Sequence, residues 1–323
     1  MKERIVSRNT TAIFDETTGA VELYSKNGDL QKHWVEALGI NREQVKSIRV
    51  AEGIVSLPED ASGFDNDAEK YTMFGGLSNV KEIDLRGFDA SGTRNMAWMF
   101  YGCHALKQID LSGLDTSEVI DMCGMFGQCE ELTNVCMDNL YTSNVKDMAY
   151  MFWNCHNLTA LGLRGFNTSN VVSMYSMFAN CEKIEDLDLS SFQTLRVENM
   201  SHMFFGCSSL KRLNLARLNT TRVEDMTMMF SNCDNLMSLD LSSFDTSNVT
   251  HMGAVFNNCK SLTALNLSSF DTSNVVDIGG IFSNCRNLKY IFMNPVTNKD
   301  AYTKNMFINC PAEIMLAGHK GTL

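Results

Sequence analysis

Proline is almost missing from this sequence, which contains only Pro58, Pro295 and Pro311 among its 323 residues. Because proline lacks the backbone N–H that a strand ladder requires, its absence between 59 and 294 favours an uninterrupted hydrogen-bonded array over that range. Long apolar runs are missing as well, and none approaches the roughly 18 residues of a membrane-spanning helix. We therefore expect no insertion into a membrane.

An excess of basic charge is also missing. The chain has 27 Lys and Arg residues against 38 Asp and Glu residues, which gives a formal net charge of −11 at pH 7. This balance offers no electrostatic attraction to phosphate backbones or anionic lipids, so nucleic acid is not an expected partner. Residues 1–8 lack the apolar core of a secretory signal. As the sequence stands we expect a cytoplasmic protein, and a cell-surface or secreted protein if a leader has been removed.

What the sequence does contain is one unit repeated every 26 residues. The unit has a Met-Phe pair, then a cysteine, alternating leucines, and a Thr-Ser segment before the next pair. A period of this length is typical of solenoids, in which each unit buries its apolar face only against its neighbours. The Met-Phe pairs begin at Met73, Met99, Met125, Met151, Met177, Met203 and Met229, and the cysteine column runs through Cys103, Cys129, Cys155, Cys181, Cys207, Cys233, Cys259, Cys285 and Cys310.

Each unit combines two periodicities. Leu239 and Leu241 alternate with polar residues, which predicts a half-buried strand. The segment that starts at Asp245 is rich in groups that cap helices, and apolar residues then follow at spacings of three and one. This pattern predicts about two turns of helix with one apolar face. That face would carry Val249, Met252, Val255, Phe256 and Cys259.

The predicted fold is an α/β, leucine-rich-repeat-like solenoid, with a curved parallel sheet on the concave side and short helices on the convex side. Both ends differ from the repeat and are expected to cap it. Residues 1–70 form an N-terminal cap, residues 71–295 the repeat array, and residues 296–323 a C-terminal cap. In the first cap we expect a hairpin over 11–25, a helix from Leu30 to Leu38 between Asp29 and Gly39, and a strand over 45–50 that leads into the repeats.

The repeat resembles that of a known family. Residues 248–252 (Asn-Val-Thr-His-Met) and 268–275 (Ser-Ser-Phe-Asp-Thr-Ser-Asn-Val) are similar to the 26-residue repeat of bacterial surface proteins, a group related to the BspA-like leucine-rich repeat proteins. The resemblance covers roughly residues 70–310. It implies a solenoid fold and, from the usual role of the family, a surface or secreted protein involved in adhesion.

The cysteine column admits three interpretations: disulfides, a zinc site, or buried structural thiols. Stacked sulfurs would form a line, whereas structural zinc needs four converging ligands. The column also lies on the apolar face, so we expect free, buried thiols that act as small apolar side chains. Cys136 is different, because the alternation of its strand turns it onto the exposed concave face, and Cys123 is expected to pack.

Nothing in the sequence indicates catalysis. His104 and His156 share a repeat position but lie two coils apart, and we expect no nucleophile in a shared geometry with them. The glycine pairs carry no Lys-Ser or Lys-Thr partner for a phosphate loop. The recurrent Asp and Asn residues of the strands could attract calcium, but solvated polar groups are the simpler interpretation. We expect no enzymatic activity, no metal and no cofactor.

A partner is expected on the concave face of the middle repeats, where the outward residues depart most from the repeat consensus. The expected function is non-catalytic binding of a protein or glycan, as in an adhesin, by a chain that we expect to be monomeric. The alternative is an intracellular scaffold or effector-type interaction protein. The candidate contact residues are Cys136, Asp138, Arg164, Asp186, Asp188, Arg212, Asn214 and Arg217.

Overall fold

The computed structural model describes residues 1–65 and 70–315 of the chain. The chain divides into two compact units, Met1–Phe166 and Asn167–Leu323, so the division falls within the repeats. In the first unit the strands are β1 (Lys2–Ser7), β2 (Thr10–Asp15), β3 (Ala20–Ser25), β4 (Gly28–Asp29), β5 (Ser47–Glu52), β6 (Val55–Ser56), β7 (Phe64–Asp65), β8 (Lys70–Tyr71), β9 (Glu82–Ile83), β10 (Phe88–Asp89), β11 (Gln108–Asp110) and β12 (Asn134–Cys136).

The first unit starts with an antiparallel meander of β1, β2 and β3, in which β2 and β3 are the expected hairpin. Strand β5 then pairs in parallel with β3 and with β9, which carries the sheet into the repeats. Strands β10, β6 and β4 form a second small parallel sheet, and β7 and β8 form an antiparallel pair. The predicted hairpin and the strand leading into the repeats are therefore confirmed.

The predicted capping helix is shorter than expected. Helix α1 covers Trp34–Leu38 and ends, as predicted, at Gly39, whose φ of 72° is readily adopted by glycine. Asp29 does not cap it: this residue lies in β4, and its carboxylate accepts a hydrogen bond from Ser7 Oγ at 2.8 Å. A single 3₁₀ turn, Arg42–Gln44, follows α1 in the described part of this region.

In the repeats, strands of successive coils pair in parallel with a shift of 26 residues. Strand β11 pairs with β12, so that Asp110 faces Cys136. In the second unit the strands are β13 (Asp186–Asp188), β14 (Arg212–Asn214), β15 (Ala264–Leu267), β16 (Tyr290–Met293) and β17 (Glu313–Met315); β13 pairs with β14, and β15, β16 and β17 form one sheet. The parallel solenoid is confirmed, but its sheet consists of short separate segments.

The predicted helices of the repeats are wrong, because this part of each coil consists of successive turns. Every second N–H donates to the next coil: Met96 N to Asp121 O at 2.9 Å and Trp98 N to Cys123 O at 2.7 Å. The N–H groups between them close turns of three residues, such as Met99 N to Met96 O at 3.2 Å. An α-helix would need every N–H for its own i−4 bonds, so the ladder between coils excludes it.

Two residues per coil adopt left-handed backbone conformations, which also excludes a helix. In one coil they are Trp98, with φ of 58°, and Gly102, with φ of 71°. The second position of each pair is filled mainly by asparagine or glycine, the residues that tolerate this region best. It is occupied by Gly102, Gln128, Asn154, Asn180, Gly206, Asn232, Asn258 and Asn284.

The core consists of columns of identical side chains. In the first unit Phe74, Phe100, Phe126 and Phe152 stack with ring centroids 5.5–5.6 Å apart and planes within 10° of parallel. Buried Met, Val and Leu columns surround this stack, and the same arrangement recurs in the second unit. Because each side chain packs on its copy in the next coil, one well-fitting contact is repeated along each unit.

The Thr-Ser segment, predicted as a helix cap, instead joins neighbouring coils. Thr246 is 1% exposed, and its Oγ1 donates to Asp271 O and accepts from Asp271 N, each at 2.8 Å. Asp245 closes a local turn by accepting a hydrogen bond from Ser247 N at 2.9 Å. One buried hydroxyl therefore satisfies two backbone groups of the adjacent coil.

Candidate interaction surface

The strand face consists of the outward residues of the strands and of the turn that directly follows each strand, together with the equivalent positions of coils that have no strand. The candidate contact residues were expected on this face. Alternation follows the prediction: Leu187 is buried at 4% exposure, whereas Asp186 and Asp188 on either side of it are exposed. Leu241 is buried and Asp240 is exposed, as predicted, while Leu239 is half-buried. The eight candidate residues fall in both units.

In the first unit Cys136 lines a shallow groove on the strand face. It is half-buried, and its Sγ lies 3.9 Å from Asp138 Oδ2. The groove has a volume of about 550 Å³ and is also lined by Asp84, Arg86 and Asp110 from the two preceding coils. Cys136 therefore lies among carboxylates in a groove.

The charges of this groove are partly neutralised within the chain. Arg86 Nη2 lies 2.6 Å from Asp84 Oδ2, and this hydrogen-bonded ion pair lowers the pKa of the Asp84 carboxyl. The pKa of Asp110 is lowered chiefly by hydrogen bonds from Ser112. Both carboxylates are thus ionised acceptors at neutral pH. Arg164 of the same unit is exposed.

In the second unit the structure brings together four of the predicted contact residues. Arg212 forms an ion pair with Asp186 of the preceding coil, and Asn214 Nδ2 donates to Asp188 Oδ1 at 3.0 Å. Arg217 is exposed beside them. The face therefore presents alternating charged and amide groups that already contact one another across the coils.

The recurrent aspartates of the strands have a local structural role. Asp110, Asp188 and Asp240 each accept the backbone N–H of the residue two positions later, at 2.9–3.0 Å. Such Asx turns end each strand and lead the chain into the loop. Among residues 1–65 and 70–315, no group of three or more His, Cys, Asp or Glu side chains is arranged to hold a metal ion.

The cysteine column consists of free thiols with a specific partner. Cys129 Sγ donates to Phe100 O at 3.2 Å, and Cys155 Sγ donates to Phe126 O at 3.1 Å. The same bond, to a phenylalanine carbonyl 29 residues earlier, recurs in the second unit at Cys207, Cys233, Cys259 and Cys285. Cys310, at the end of the column, is half-buried instead of buried. Burial raises the pKa of Cys103 to about 12, so these thiols stay protonated and can donate. The prediction of buried structural thiols missed this hydrogen bond.

Cys123 lies outside the column. It is half-buried, and burial together with the nearby carboxylates of Asp147 and Asp121 raises its pKa well above the ordinary range. Two thiols therefore lie outside the column. Cys136 is on the strand face, and Cys123 is among the successive turns of the coils, which we call the turn side.

The turn side of the first unit carries aromatic residues that are not among the predicted contact residues. Trp98 and Tyr101 lie on one coil, and Tyr150 and Trp153 occupy the same positions two coils later. The signal was present as an aromatic pair at spacing three in alternate repeats. Its period is two repeats instead of one, so a comparison of adjacent repeats does not reveal it.

The coils, strand register and uniform core define a leucine-rich-repeat-like solenoid protein. The chain belongs to the family described as "Mycoplasma protein of unknown function, DUF285", whose model matches residues 68–160, 132–237 and 205–314. The resemblance to bacterial 26-residue repeat proteins is thereby confirmed. No curated protein matches the sequence.

Three solved structures illustrate the similarity. A leucine-rich repeat protein from Bacteroides ovatus is 16% identical, with 94% of this chain and 91% of that chain covered and a TM-score of 0.34. An internalin from Listeria monocytogenes is 12% identical, with coverages of 95% and 88% and a TM-score of 0.32. A leucine-rich repeat protein from Eubacterium ventriosum is 14% identical, with coverages of 97% and 85% and a TM-score of 0.29. In the described part of this chain, no helix has the length and apolar character to cross a bilayer.

Proposed function

We propose that this protein is a non-catalytic binding protein of the bacterial cell surface, which contacts a protein or glycan partner through its strand face in an adhesin-like role. The observation that carries the proposal is the contrast between the two faces of the strands. Inward positions repeat the same apolar side chains, whereas outward positions vary, as with Asp186 facing Arg212 and Asp188 facing Asn214. Variation restricted to the exposed positions is expected where a surface is selected for binding.

The chemistry of this face suits a polar partner. Arginine and amide groups can form directional hydrogen bonds, and arginine is common at the centre of protein interfaces. The ion pair between Arg212 and Asp186 is exposed, so it contributes little to stability and can be exchanged for a partner's group. The alternative, an intracellular scaffold, is supported by the column of free thiols, which suits a reducing compartment.

Charge reversal tests the strand face. Arg164→Glu in the first unit and Arg212→Glu in the second would be made singly, with Arg222→Glu as a control at an exposed position outside the strands. The probe is fluorescently labelled full-length protein, applied to fixed epithelial cells and to immobilised lysate of the source bacterium. If the face binds, at least one strand-face variant loses about tenfold or more in binding while Arg222→Glu does not.

Retention of full binding by both strand-face variants would contradict the proposed site. Binding to the bacterial lysate alone, together with a lack of antibody labelling on intact bacteria, would favour the intracellular scaffold. Thermal unfolding checks that the variants are folded, because exposed substitutions of this kind change stability by only about 0.5 kcal/mol.

A further inference from the structure

The turn side of the first unit carries an aromatic patch, which we define as Phe64, Tyr71, Trp98, Tyr101, Tyr150 and Trp153. Its rings are in contact: Trp98 lies 5.2 Å from Tyr101 and 5.7 Å from Tyr150, and Tyr150 lies 5.8 Å from Trp153, between centroids. Tyr71 and Phe64 continue the patch, at 6.2 and 6.4 Å from Tyr101. The six side chains are half-buried or exposed, so together they form a continuous surface.

Glycines hold two of these rings against the backbone. A Cβ added to Gly124 would lie 1.9 Å from the Trp98 indole, so one face of the indole rests directly on this glycine. A Cβ added to Gly76 would likewise lie 2.5 Å from the Tyr71 ring. Because backbone covers one face of the Trp98 and Tyr71 rings, the opposite side of each ring is the part that faces solvent. The arrangement is a shallow platform with rings lying across the coils.

The core does not explain why these residues are aromatic. Trp98 and Tyr150 both have φ of 58°, a left-handed conformation that costs a bulky residue free energy and that glycine adopts readily. Gly124, Gly280 and Ala254 occupy the same position in other coils with φ between 55° and 64°. A small residue therefore fits this position, and the large rings project from the coil. The left-handed conformation recurs at this position in the other coils, so the distinctive feature of Trp98 and Tyr150 is that their half-buried rings are in contact. A contiguous, partly exposed aromatic surface of this kind points to a binding role.

The platform alternates with a spacing of two coils. The large pairs at positions 98 and 101 and at 150 and 153 are separated by Gly124 and Gly127 in the coil between them. Trp98 lies over the intervening Gly124, so its ring centroid is only 5.7 Å from that of Tyr150, and the rings of the two pairs form one row. Such a row suits an extended chain whose own rings succeed one another at a regular distance.

Two carboxylates lie three residues before Gly124 and Tyr150, on coils that carry the patch. Asp121 Oδ1 accepts the N–H of Cys123 at 2.9 Å, and Asp147 Oδ1 accepts the N–H of Ala149 at 2.8 Å, next to Gly124 and Tyr150 respectively. A carboxylate has about four acceptor sites, so each can accept further hydrogen bonds from hydroxyl donors. Burial raises the pKa of both carboxyls, and a partner that donates hydrogen bonds would favour their ionised form.

We propose that the aromatic patch binds a neutral oligosaccharide chain. The C–H groups on a pyranose face carry slight positive charge and stack on the negative face of an aromatic ring, while the sugar hydroxyls donate to the adjacent carboxylates. Nucleic acid bases also stack on aromatic rings, but their binding needs a positively charged groove, whereas acidic groups flank this patch and the net charge is −11. This site lies on the turn side and is independent of the proposed strand face.

The test is native gel electrophoresis of the full chain in gels that contain a soluble neutral polysaccharide: a β-glucan, an α-mannan or a galactan. A sulfated polysaccharide and single-stranded DNA serve as anionic comparisons. The expected result is retardation by at least one neutral polymer, with no retardation by the anionic ones. Intrinsic fluorescence gives a second readout, because two of the three tryptophans lie in the patch and the third, Trp34, is fully buried.

The variants use residues that other coils already have at the equivalent position. Trp98→Ala reproduces Ala254, and Tyr150→Ser reproduces Ser176, each at the same left-handed position of another coil, so the double variant is expected to fold. It should bind the retarding polysaccharide about tenfold or more weakly. The matched control is Tyr141→Ala, an exposed tyrosine of the same unit outside the patch, at 59% exposure. Both this control and Arg212→Glu should bind as the unchanged protein does.

Each other result overturns the proposal. Absence of retardation by all three neutral polymers, or equal retardation of the double variant, would remove the sugar site. Stronger retardation by DNA or the sulfated polymer, lost in the double variant, would identify an anion site. A change in self-association on size exclusion without a change in polysaccharide binding would make the patch an interface with another protein.

Discussion

The hydrogen bonds of the cysteine column can be tested by replacing one thiol with two different side chains. Cys129 is fully buried, and its Sγ donates to Phe100 O, which also accepts the N–H of Cys103 at 3.2 Å. Cys129→Ala removes both the sulfur and the donor. Cys129→Ser keeps a donor in almost the same place and makes the side chain smaller and more polar.

The structure gives the expected magnitudes. Loss of the buried sulfur costs about 1 kcal/mol of apolar transfer, and the space left behind about 0.5 kcal/mol more. Loss of the hydrogen bond adds about 0.5–1 kcal/mol. Cys129→Ala should therefore lower the free energy of unfolding by about 2–2.5 kcal/mol. Cys129→Ser should cost no more than this, because its hydroxyl can still donate to Phe100 O.

The assay is equilibrium unfolding in urea followed by tryptophan fluorescence, since Trp34, Trp98 and Trp153 all lie in the first unit with Cys129. Cys136→Ala, at a half-buried position on the strand face, is the control and should change stability by less than about 0.5 kcal/mol. If the thiol served only to fill space, serine would bury an unpaired hydroxyl and fall below alanine by about 1–3 kcal/mol. That order of stabilities would refute the hydrogen-bonding role.

Three further predictions follow from burial and charge. Burial raises the pKa of Cys103 from 9.0 to about 12, so near neutral pH its thiolate should be about 1000-fold scarcer than that of a thiol with the ordinary pKa. Mass spectrometry after iodoacetamide treatment should therefore find Cys136 alkylated first and the cysteine column last. The reverse order would contradict the assignment of faces. Asp121→Asn should stabilise the protein by about 1 kcal/mol at pH 7, because it removes a buried charge whose pKa is raised, and this gain should fade as acid protonates the native carboxyl. Asp110→Asn, where the native pKa is lowered, should instead destabilise the protein slightly at pH 7 and have almost no effect on stability in acid. Stability changes of the same sign for both variants in urea unfolding would refute this account. Thr246→Val should cost about 2–3 kcal/mol in urea unfolding followed by circular dichroism, because two backbone groups of the next coil lose their buried partner; a loss below about 0.5 kcal/mol would argue against the bridge.

The sequence predicted the features that depend on the repeat period. A column of residues 26 apart implies stacking, and stacking together with alternation places Leu187 inside and Asp186 outside. The hairpin over β2 and β3 was also predictable, because its two alternating runs flank a short polar turn. These features follow from periodicities of two and of 26 residues, which can be identified within one chain.

The turns of the repeat were not predicted, since their main hydrogen-bonding partners are 25 residues away. Successive turns of three residues also place apolar side chains inward every three or four positions, as a helix does. The local spacing of Val249, Met252 and Cys259 therefore fits both structures. The recurrent Asn or Gly at 102, 154 and 180 was the distinguishing signal, because such a column is typical of left-handed positions.

The candidate strand-face residues could be placed on one side of the strands from sequence, but their pairing could not. That Arg212 contacts Asp186 depends on side-chain conformations across two coils. The aromatic patch was missed for a different reason, since its repeat spans two units and its contacts join Trp98 to Tyr150 over an intervening glycine.

The backbone bonds that join each coil to the next have a mechanical consequence. A pulling force applied at the end of a stack loads only the bonds of the outermost coil, such as that from Phe282 N to Met306 O, while those behind it remain unloaded. Coils therefore detach one after another, and each releases 26 residues, or roughly 90 Å of extended chain. Tethered at one end and held at the other, such a stack would yield in equal steps and limit the peak force on whatever it holds.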